Sequence, residues 1–125
     1  MTANRDSDSL LDMLEAASLV GECIKGKTVR QLQSDKICSS AVKYQLMIIG
    51  EAANRISPEF RTAHPAIPWL QMIGMRNILV HAYHKVSLAR VWKVATISVP
   101  ELVTLIKLYI SPNSSPSETW YSTHR

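Results

Sequence analysis

Residues 35–56 read DKICSSAVKYQLMIIGEAANRI, a pattern that predicts one long helix. Asp35 is a favourable helix N-cap, and Ser57-Pro58 ends the segment because the residue before a proline disfavours helical backbone angles. Apolar residues between these limits recur at helical spacing, so one face is expected to enter a core. The expected core positions are Ala41, Gln45 or Leu46, Ile48 or Ile49, Ala52, Ala53 and Ile56.

The segment on the N-terminal side predicts a first helix from about Ser7 to Ile24, where apolar residues again recur at helical spacing. Asp6 to Asp8 can cap its start, because carboxylates suit the positive end of a helix. Gly26 lies between two lysines and is a helix stop signal. Residues 28–33 are expected to form a connector that contains at most one helical turn.

The segment on the C-terminal side contains three prolines between residues 58 and 68, which predict a connection with at most one helical turn. A third helix is predicted from Pro68, which suits the first helical position, to about Tyr83. Ser87 then caps a fourth helix, from Leu88 to about Ile110, which Pro100 should kink or break. Helices of this length with short joins predict an all-α fold, an antiparallel bundle of four to five helices.

The length of 125 residues allows one domain, expected at residues 1–110, followed by a polar tail at residues 111–125. Hydrophobic residues (46%) and charged residues (19%) have ordinary globular proportions, which excludes wholesale disorder. Cys23 and Cys38 are expected to be buried thiols in a reducing cytosol, although the sequence also allows a disulfide between them. The chain has no apolar run long enough to cross a membrane and no secretion signal, so we expect a cytoplasmic protein.

The charge of the chain is unevenly distributed. Residues 1–35 carry four basic and six acidic groups, for a charge of −2, whereas residues 36–125 carry ten basic and four acidic groups, for +6. The basic part is compatible with a polyanionic partner such as nucleic acid. The total of +4 is also within the range that keeps an ordinary small domain soluble.

The predicted third helix carries an unusual set of polar side chains. At 100° per residue, Arg76 and Tyr83 form one stripe, and Asn77, His81 and His84 form a second stripe beside it. A solvated helix face is the simplest explanation for polar residues in an amphipathic helix. This face, however, lacks the usual mixture of Lys and Glu, and instead combines imidazole, guanidinium and phenol groups that act in chemistry near neutral pH.

Arginine and histidine together suit phosphodiester chemistry without a metal or other cofactor. Arg76 could hold a phosphate and the charge that grows on it in the transition state. His81 could take the proton from a ribose 2′-hydroxyl or give one to the leaving oxygen, which would make RNA the substrate. One histidine is too few for an acid and a base, so two chains that face each other are expected to supply both.

The segment from Arg76 to Tyr83 is an R-x4-H-x-Y motif, and it resembles the signature of HEPN-domain proteins. It is especially similar to the HepT toxins, which are encoded beside MNT-type nucleotidyltransferase antitoxins. The similarity extends over roughly residues 7–110, in three blocks with the family's order and spacing. These blocks are Ile48-Ile49-Gly50-Glu51-Ala52-Ala53, His64-Pro65-x-Ile67-Pro68-Trp69 and Ile73-Gly74-Met75-Arg76-Asn77.

The resemblance implies a helical homodimer whose motif helices line a shared cleft, and a metal-independent endoribonuclease toxin of a type VII-like toxin–antitoxin system. It implies that Arg76 and His81 are the catalytic pair and that Asn77 supports them. It also implies that Tyr83 accepts AMP from the cognate antitoxin, which silences the toxin. Where many relatives have an aromatic residue and a glycine after the motif, this chain has His84-Lys85, which are candidate RNA-binding residues. His84 could instead be a second titrating group or an ordinary surface residue.

Other residues have two interpretations. Glu51 could orient Arg76 or pair with Arg55 one helical turn away. Lys43, Arg55 and Arg61 could bind the RNA backbone or belong to solvated helix faces. Two of the three tryptophans, Trp69 and Trp92, are expected in the core or in a dimer interface.

Two rival functions are consistent with the same pattern. The first is a non-catalytic HEPN module that binds a nucleotidyltransferase partner or a nucleotide. The second is a structural helical bundle without a ligand. Intact Arg76 and His81 favour the ribonuclease over both.

Overall fold

The computed structural model describes residues 2–110, with side chains from residue 5 onward. It contains seven α-helices: α1 (Thr2–Ile24), α2 (Val29–Ser34), α3 (Lys36–Arg55), α4 (Pro58–Ala63), α5 (Trp69–His81), α6 (Leu88–Lys93) and α7 (Val99–Ile110). A 3₁₀ turn (Tyr83–Lys85) follows α5, and a π-helical turn (Val94–Ser98) joins α6 to α7. Residues 2–110 include no strand, so the all-α prediction is confirmed. The predicted tail at 111–125 lies outside the described residues.

Helix α3 lies between α1 and α5 and is antiparallel to both. The start of α1 meets the end of α3, where Asp12 contacts Arg55, and the end of α1 meets the start of α3, where Cys23 contacts Cys38. The core between the helices is apolar, and its largest fully buried side chains include Met13, Leu32, Leu46, Ile49, Ile56, Ile67, Met72, Leu79, Leu102 and Ile106. The central helix therefore fixes the positions of both neighbours.

Local capping explains most of the helix starts. The Asp35 carboxylate accepts a hydrogen bond from the Cys38 N–H (3.0 Å), as the sequence predicts. Ser57 and Ser87 cap α4 and α6 in the same way. Thr28 forms a reciprocal capping box with Gln31, and this box stabilises α2 as a six-residue helix.

The first predicted helix boundary is wrong. Helix α1 begins at Thr2, five residues before the predicted start at Ser7. Asp6 is not a cap for its own helix, because its buried carboxylate accepts hydrogen bonds from the N–H (2.9 Å) and hydroxyl (2.7 Å) of Ser57. A carboxylate that is bound from a distant segment leaves the local helix free to continue.

The connectors are more helical than predicted. Residues 28–33 and 58–68 were expected to hold at most one turn, yet α2 and α4 each span six residues, or about 1.7 turns. In the core stripe of α3, Val42 is fully buried whereas the predicted Ala41 is only partly buried. The predicted break near Pro100 takes the form of the π-helical turn, in which the Val99 N–H donates to the Val94 carbonyl.

Both cysteines are free thiols, and they lie where α1 ends and α3 begins. The Cys38 thiol donates to the Cys23 carbonyl oxygen (3.0 Å), and Cys38 is buried while Cys23 is partly exposed. Burial raises the pKa of the Cys23 thiol above its ordinary value, and the adjacent Cys38 raises it further. The neutral thiol is therefore the favoured form at Cys23.

None of the helices that the structure describes has the length and apolar character needed to cross a membrane.

Candidate active site between α3 and α5

A glycine lets α3 approach α5 closely. A Cβ atom added at Gly50 would clash with the Cβ atom of Arg76 and would lie 2.6 Å from the Met72 carbonyl oxygen. The buried Gly50 therefore allows backbone of α3 to lie directly against α5. This contact places the next residue of α3, Glu51, opposite Arg76.

Glu51 and Arg76 form an ion pair across this contact. The Arg76 Nε–H donates to Oε1 of Glu51 (2.8 Å), and Nη2 lies 2.8 Å from the same oxygen. The Nη1–H of Arg76 donates to the side-chain oxygen of Asn77 (3.0 Å). The guanidinium is thus held from two sides, by a carboxylate on α3 and by an amide on its own helix.

The held guanidinium stays accessible. The side chain of Arg76 is 26% exposed and that of Glu51 is 38% exposed. A guanidinium has five N–H donors, and Glu51 and Asn77 are the only side chains among residues 5–110 that contact it as acceptors. Donors therefore remain for an oxyanion such as a phosphate.

His81 is the last residue of α5, and its side chain is exposed. At the next residue, Ala82, the backbone leaves the helical conformation (φ −142°, ψ 42°), and the chain turns into the 3₁₀ segment. The imidazole is therefore presented at the end of the helix that also carries Arg76. Five residues separate the two side chains, about 7.5 Å along the helix axis.

The predicted end of this helix is wrong, with a consequence for Tyr83. The helix was expected to run from Pro68 to Tyr83, but Pro68 is its N-cap and His81 its last residue. Tyr83 therefore does not continue the Arg76 stripe. Its half-buried ring packs against the core, and the Lys43 ammonium nitrogen on α3 lies 4.4 Å from the ring centroid. Packing against α3 thus overrides continuation of α5.

His84 and Lys85 lie in the 3₁₀ turn beside Tyr83, and both side chains are exposed. The His84 ring meets the Tyr83 ring edge-on, with centroids 5.4 Å apart. These two residues therefore add basic groups at the solvent side of the motif.

The other basic candidates have different environments. Arg55 pairs with Asp12 of α1 (3.0 Å) and so is not the partner of Glu51. Arg61 donates to the carbonyl oxygens of Ile56 (3.3 Å) and Asn54 (3.1 Å), where it caps the end of α3. Of the three cations considered from sequence, Lys43 is the one that the structure brings to the motif.

The two tryptophans among the described residues, Trp69 and Trp92, lie in or against the core. Trp69 is buried, and its indole N–H donates to the His64 carbonyl oxygen (3.0 Å). Trp92 is partly buried against the core. The expectation of a core position is confirmed for Trp69, and neither ring forms an exposed stacking platform.

Sequence reasoning missed two relationships at this site, the Lys43–Tyr83 contact and the close approach at Gly50. A signal existed for the second, because a glycine inside a predicted helix suggests a packing role. The first had no signal, because it depends on where α5 ends.

Comparisons with known proteins show the family of the chain. A family model described as "Ribonuclease HepT-like" matches residues 13–108. The chain is 38% identical over 93 residues to "Putative RNase MJ1380" of Methanocaldococcus jannaschii, an alignment that covers 74% of this chain and 85% of the relative. It is also 38% identical over 95 residues to "Probable ribonuclease HepT" of Thermococcus cleftensis, covering 76% and 86%. No solved structure matches significantly.

Proposed function

The chain belongs to the HepT-like ribonuclease family, and from this premise we propose that it is a metal-independent endoribonuclease with Arg76 and His81 as its catalytic pair. The observation that carries the proposal is the accessible guanidinium of Arg76, fixed by Glu51 and Asn77 on the helix that ends at His81. A preoriented cation of this kind stabilises charge that develops on a phosphate.

The cleavage step needs only groups of this protein and of the RNA. A base removes the proton from the ribose 2′-hydroxyl, and the 2′-oxygen attacks the adjacent phosphorus. The bond from phosphorus to the 5′-oxygen breaks, and an acid gives that oxygen a proton. The products are a 2′,3′-cyclic phosphate and a 5′-hydroxyl. A histidine near neutral pH can act as the base or as the acid.

We propose a homodimer because this chemistry uses two proton-transfer groups and each motif supplies one His81. The stripe of α3 that contains Glu51 also carries exposed apolar side chains at seven-residue spacing, Ile37 (87% exposed) and Tyr44 (55% exposed). Val80 on α5 is also exposed (43%). Apolar side chains that flank a polar site suit a surface covered by a second protein chain. A second copy at this surface would bring two motifs together.

We further propose that the protein is the toxin of a cytoplasmic type VII-like toxin–antitoxin pair. Its antitoxin would be an MNT-type nucleotidyltransferase that transfers AMP to the Tyr83 hydroxyl. Tyr83 lies two residues after His81 and directly beside the exposed His84 and Lys85. A bulky phosphate ester at this position would obstruct an RNA phosphate by volume and by charge.

The test of the nuclease proposal is cleavage of a labelled single-stranded RNA by the purified protein in EDTA. The expected products carry 2′,3′-cyclic phosphate and 5′-hydroxyl ends. A requirement for Mg²⁺, or products with 5′-phosphate ends, would contradict the proposed chemistry. RNA binding without cleavage, unaffected by His81→Ala, would instead favour the non-catalytic binding module.

The test of the antitoxin proposal is mass spectrometry after co-expression with an MNT-type nucleotidyltransferase. An AMP adduct is expected on wild-type Tyr83 and absent from Tyr83→Phe. An adduct that persists in Tyr83→Phe would assign the modification to another residue.

A further inference from the structure

The contact between Lys43 and Tyr83 joins the middle of α3 to the turn after the motif helix. The Lys43 ammonium nitrogen lies 4.4 Å from the centroid of the Tyr83 ring, within the range of a cation–π interaction. Lys43 is partly exposed. The ring therefore positions the ammonium group of Lys43, and the side of the ammonium group that faces away from the ring can contact a ligand.

Lys43 also adds a positive charge at a site where the charge of Arg76 is offset. Glu51 fixes Arg76 but also offsets its positive charge, because the carboxylate lies 2.8 Å from the guanidinium. Arg55 and Arg61, the other two cations considered from sequence, are engaged by Asp12 and by backbone carbonyl groups. Lys43 has an aromatic ring as its partner, and a ring does not neutralise its charge.

The register of the two helices places Lys43 at the Tyr83 end of the motif, away from Arg76. Helices α3 and α5 are antiparallel, with Glu51 opposite Arg76 and Lys43 opposite Tyr83. Eight residues separate Lys43 from Glu51, about 12 Å along α3. His81 lies between Arg76 and Tyr83 in the chain, so along the axis of α5 the two cations lie toward opposite ends of the motif.

We propose that Lys43 is a second RNA-binding residue of this site, which holds a backbone phosphate on the Tyr83 side of His81 while Arg76 holds the scissile phosphate. The inference rests on the proposed ribonuclease function. An RNA strand bound at both positions would run along the motif, past the end of α5 that carries His81. An AMP group on Tyr83 would place a phosphate beside the same ammonium, and modification would then also occupy Lys43.

The experiment measures the salt dependence of RNA affinity. A fluorescein-labelled single-stranded RNA is titrated with His81→Ala protein in EDTA, so that binding is measured without cleavage. Log affinity for a single strand falls linearly with log salt, and each phosphate contact contributes about 0.7 to the magnitude of this slope. Lys43→Met keeps the length of the side chain and should lower the slope by about 0.7. The ratio of the parent's RNA affinity to that of Lys43→Met should therefore be roughly threefold smaller at about 200 mM salt than at about 50 mM salt.

The matched control is Lys107→Met, which makes the same change of charge on α7. Lys107 is exposed and lies beside the groove between α1 and α7, away from the motif. It should keep the slope of the His81→Ala parent. An unchanged slope in Lys43→Met would overturn the proposal, and so would an equal fall in both variants or a His81→Ala parent that binds no RNA.

Kinetics distinguish an RNA contact made by Lys43 from a structural role of this side chain. In the protein that retains His81, Lys43→Met should raise KM and leave kcat nearly unchanged, because a contact to the RNA backbone is made equally before and during the reaction.

A second variant, Tyr83→Leu, removes the ring and should also lower the magnitude of the salt slope. The double variant should lose less RNA affinity than the sum of the two single losses, and full additivity would contradict positioning of Lys43 by the ring. A wild-type protein that binds RNA with the predicted slopes but cleaves none would refute the nuclease proposal alone.

Discussion

The Arg76 guanidinium contacts a single carboxylate oxygen of Glu51 through two of its nitrogens, Nε and Nη2, each at 2.8 Å. The pair links the motif helix to the central helix at the point where Gly50 allows the two backbones to meet. The orientation of a catalytic cation would thus depend on a residue 25 positions earlier in the chain.

Glu51→Gln should lower the rate of RNA cleavage without weakening RNA binding. The amide keeps the shape of the side chain but removes its negative charge, so Arg76 is held less firmly while the site becomes more positive. We expect kcat to fall about tenfold, because hydrogen bonds to charged groups contribute about 1.5–3 kcal/mol and this pair is partly exposed to solvent. KM should be unchanged or lower. Steady-state kinetics with a fluorogenic RNA measure both values, and an unchanged kcat would show that Glu51 does not orient Arg76.

Gly50→Ala should destabilise the fold, because the new Cβ atom would clash with Arg76 and with the Met72 carbonyl oxygen. Overpacking of this kind costs about 1–3 kcal/mol, and thermal unfolding should show Tm lower by several degrees. The control is Gly21→Ala on α1, where no atom lies within 4 Å of the added Cβ. That variant should be stabilised by about 0.5–1 kcal/mol, since alanine is the better helix former. Equal effects of the two substitutions would contradict the close approach.

Asp6→Ala should weaken the hydrogen-bonded contact between α1 and the start of α4. The buried Asp6 carboxylate accepts from the N–H and the hydroxyl of Ser57, and the substitution leaves both donors without their partner. We expect a loss of about 1–3 kcal/mol in the free energy of unfolding, measured with urea. Asp8→Ala is the control, because Asp8 is exposed on the same helix and its loss should change stability by less than about 0.5 kcal/mol. Comparable losses in both variants would mean that helix-end charge, rather than the Ser57 contact, accounts for the effect.

Local sequence patterns predict the central helix well. Asp35 and the Ser57-Pro58 pair mark the ends of α3 to within one residue, because capping and the steric effect of proline act over a few residues. Burial of one face of α1 and one face of α3 also follows from their apolar stripes.

Relationships that depend on tertiary packing are not predictable in this way. The sequence allows Glu51 to pair with either Arg55 or Arg76, and the choice depends on Asp12, which engages Arg55 from α1. The start of α1 is likewise not predictable from local sequence, because the partner of Asp6 is 51 residues away. The same limit applies to Tyr83, whose packing against Lys43 accompanies an earlier end of α5 than periodicity indicates.

The most direct test of the central claim compares His81→Ala with His84→Ala in single-turnover cleavage of a labelled RNA in EDTA. Both variants remove an exposed histidine near the end of the motif helix, and circular dichroism should show that both retain the fold. Loss of a general acid or base costs about 100-fold or more in rate. We predict that loss for His81→Ala, and for His84→Ala a cleavage rate at saturating RNA close to that of the wild type. Equal rates for wild type and His81→Ala would contradict the assignment of His81 as a catalytic residue.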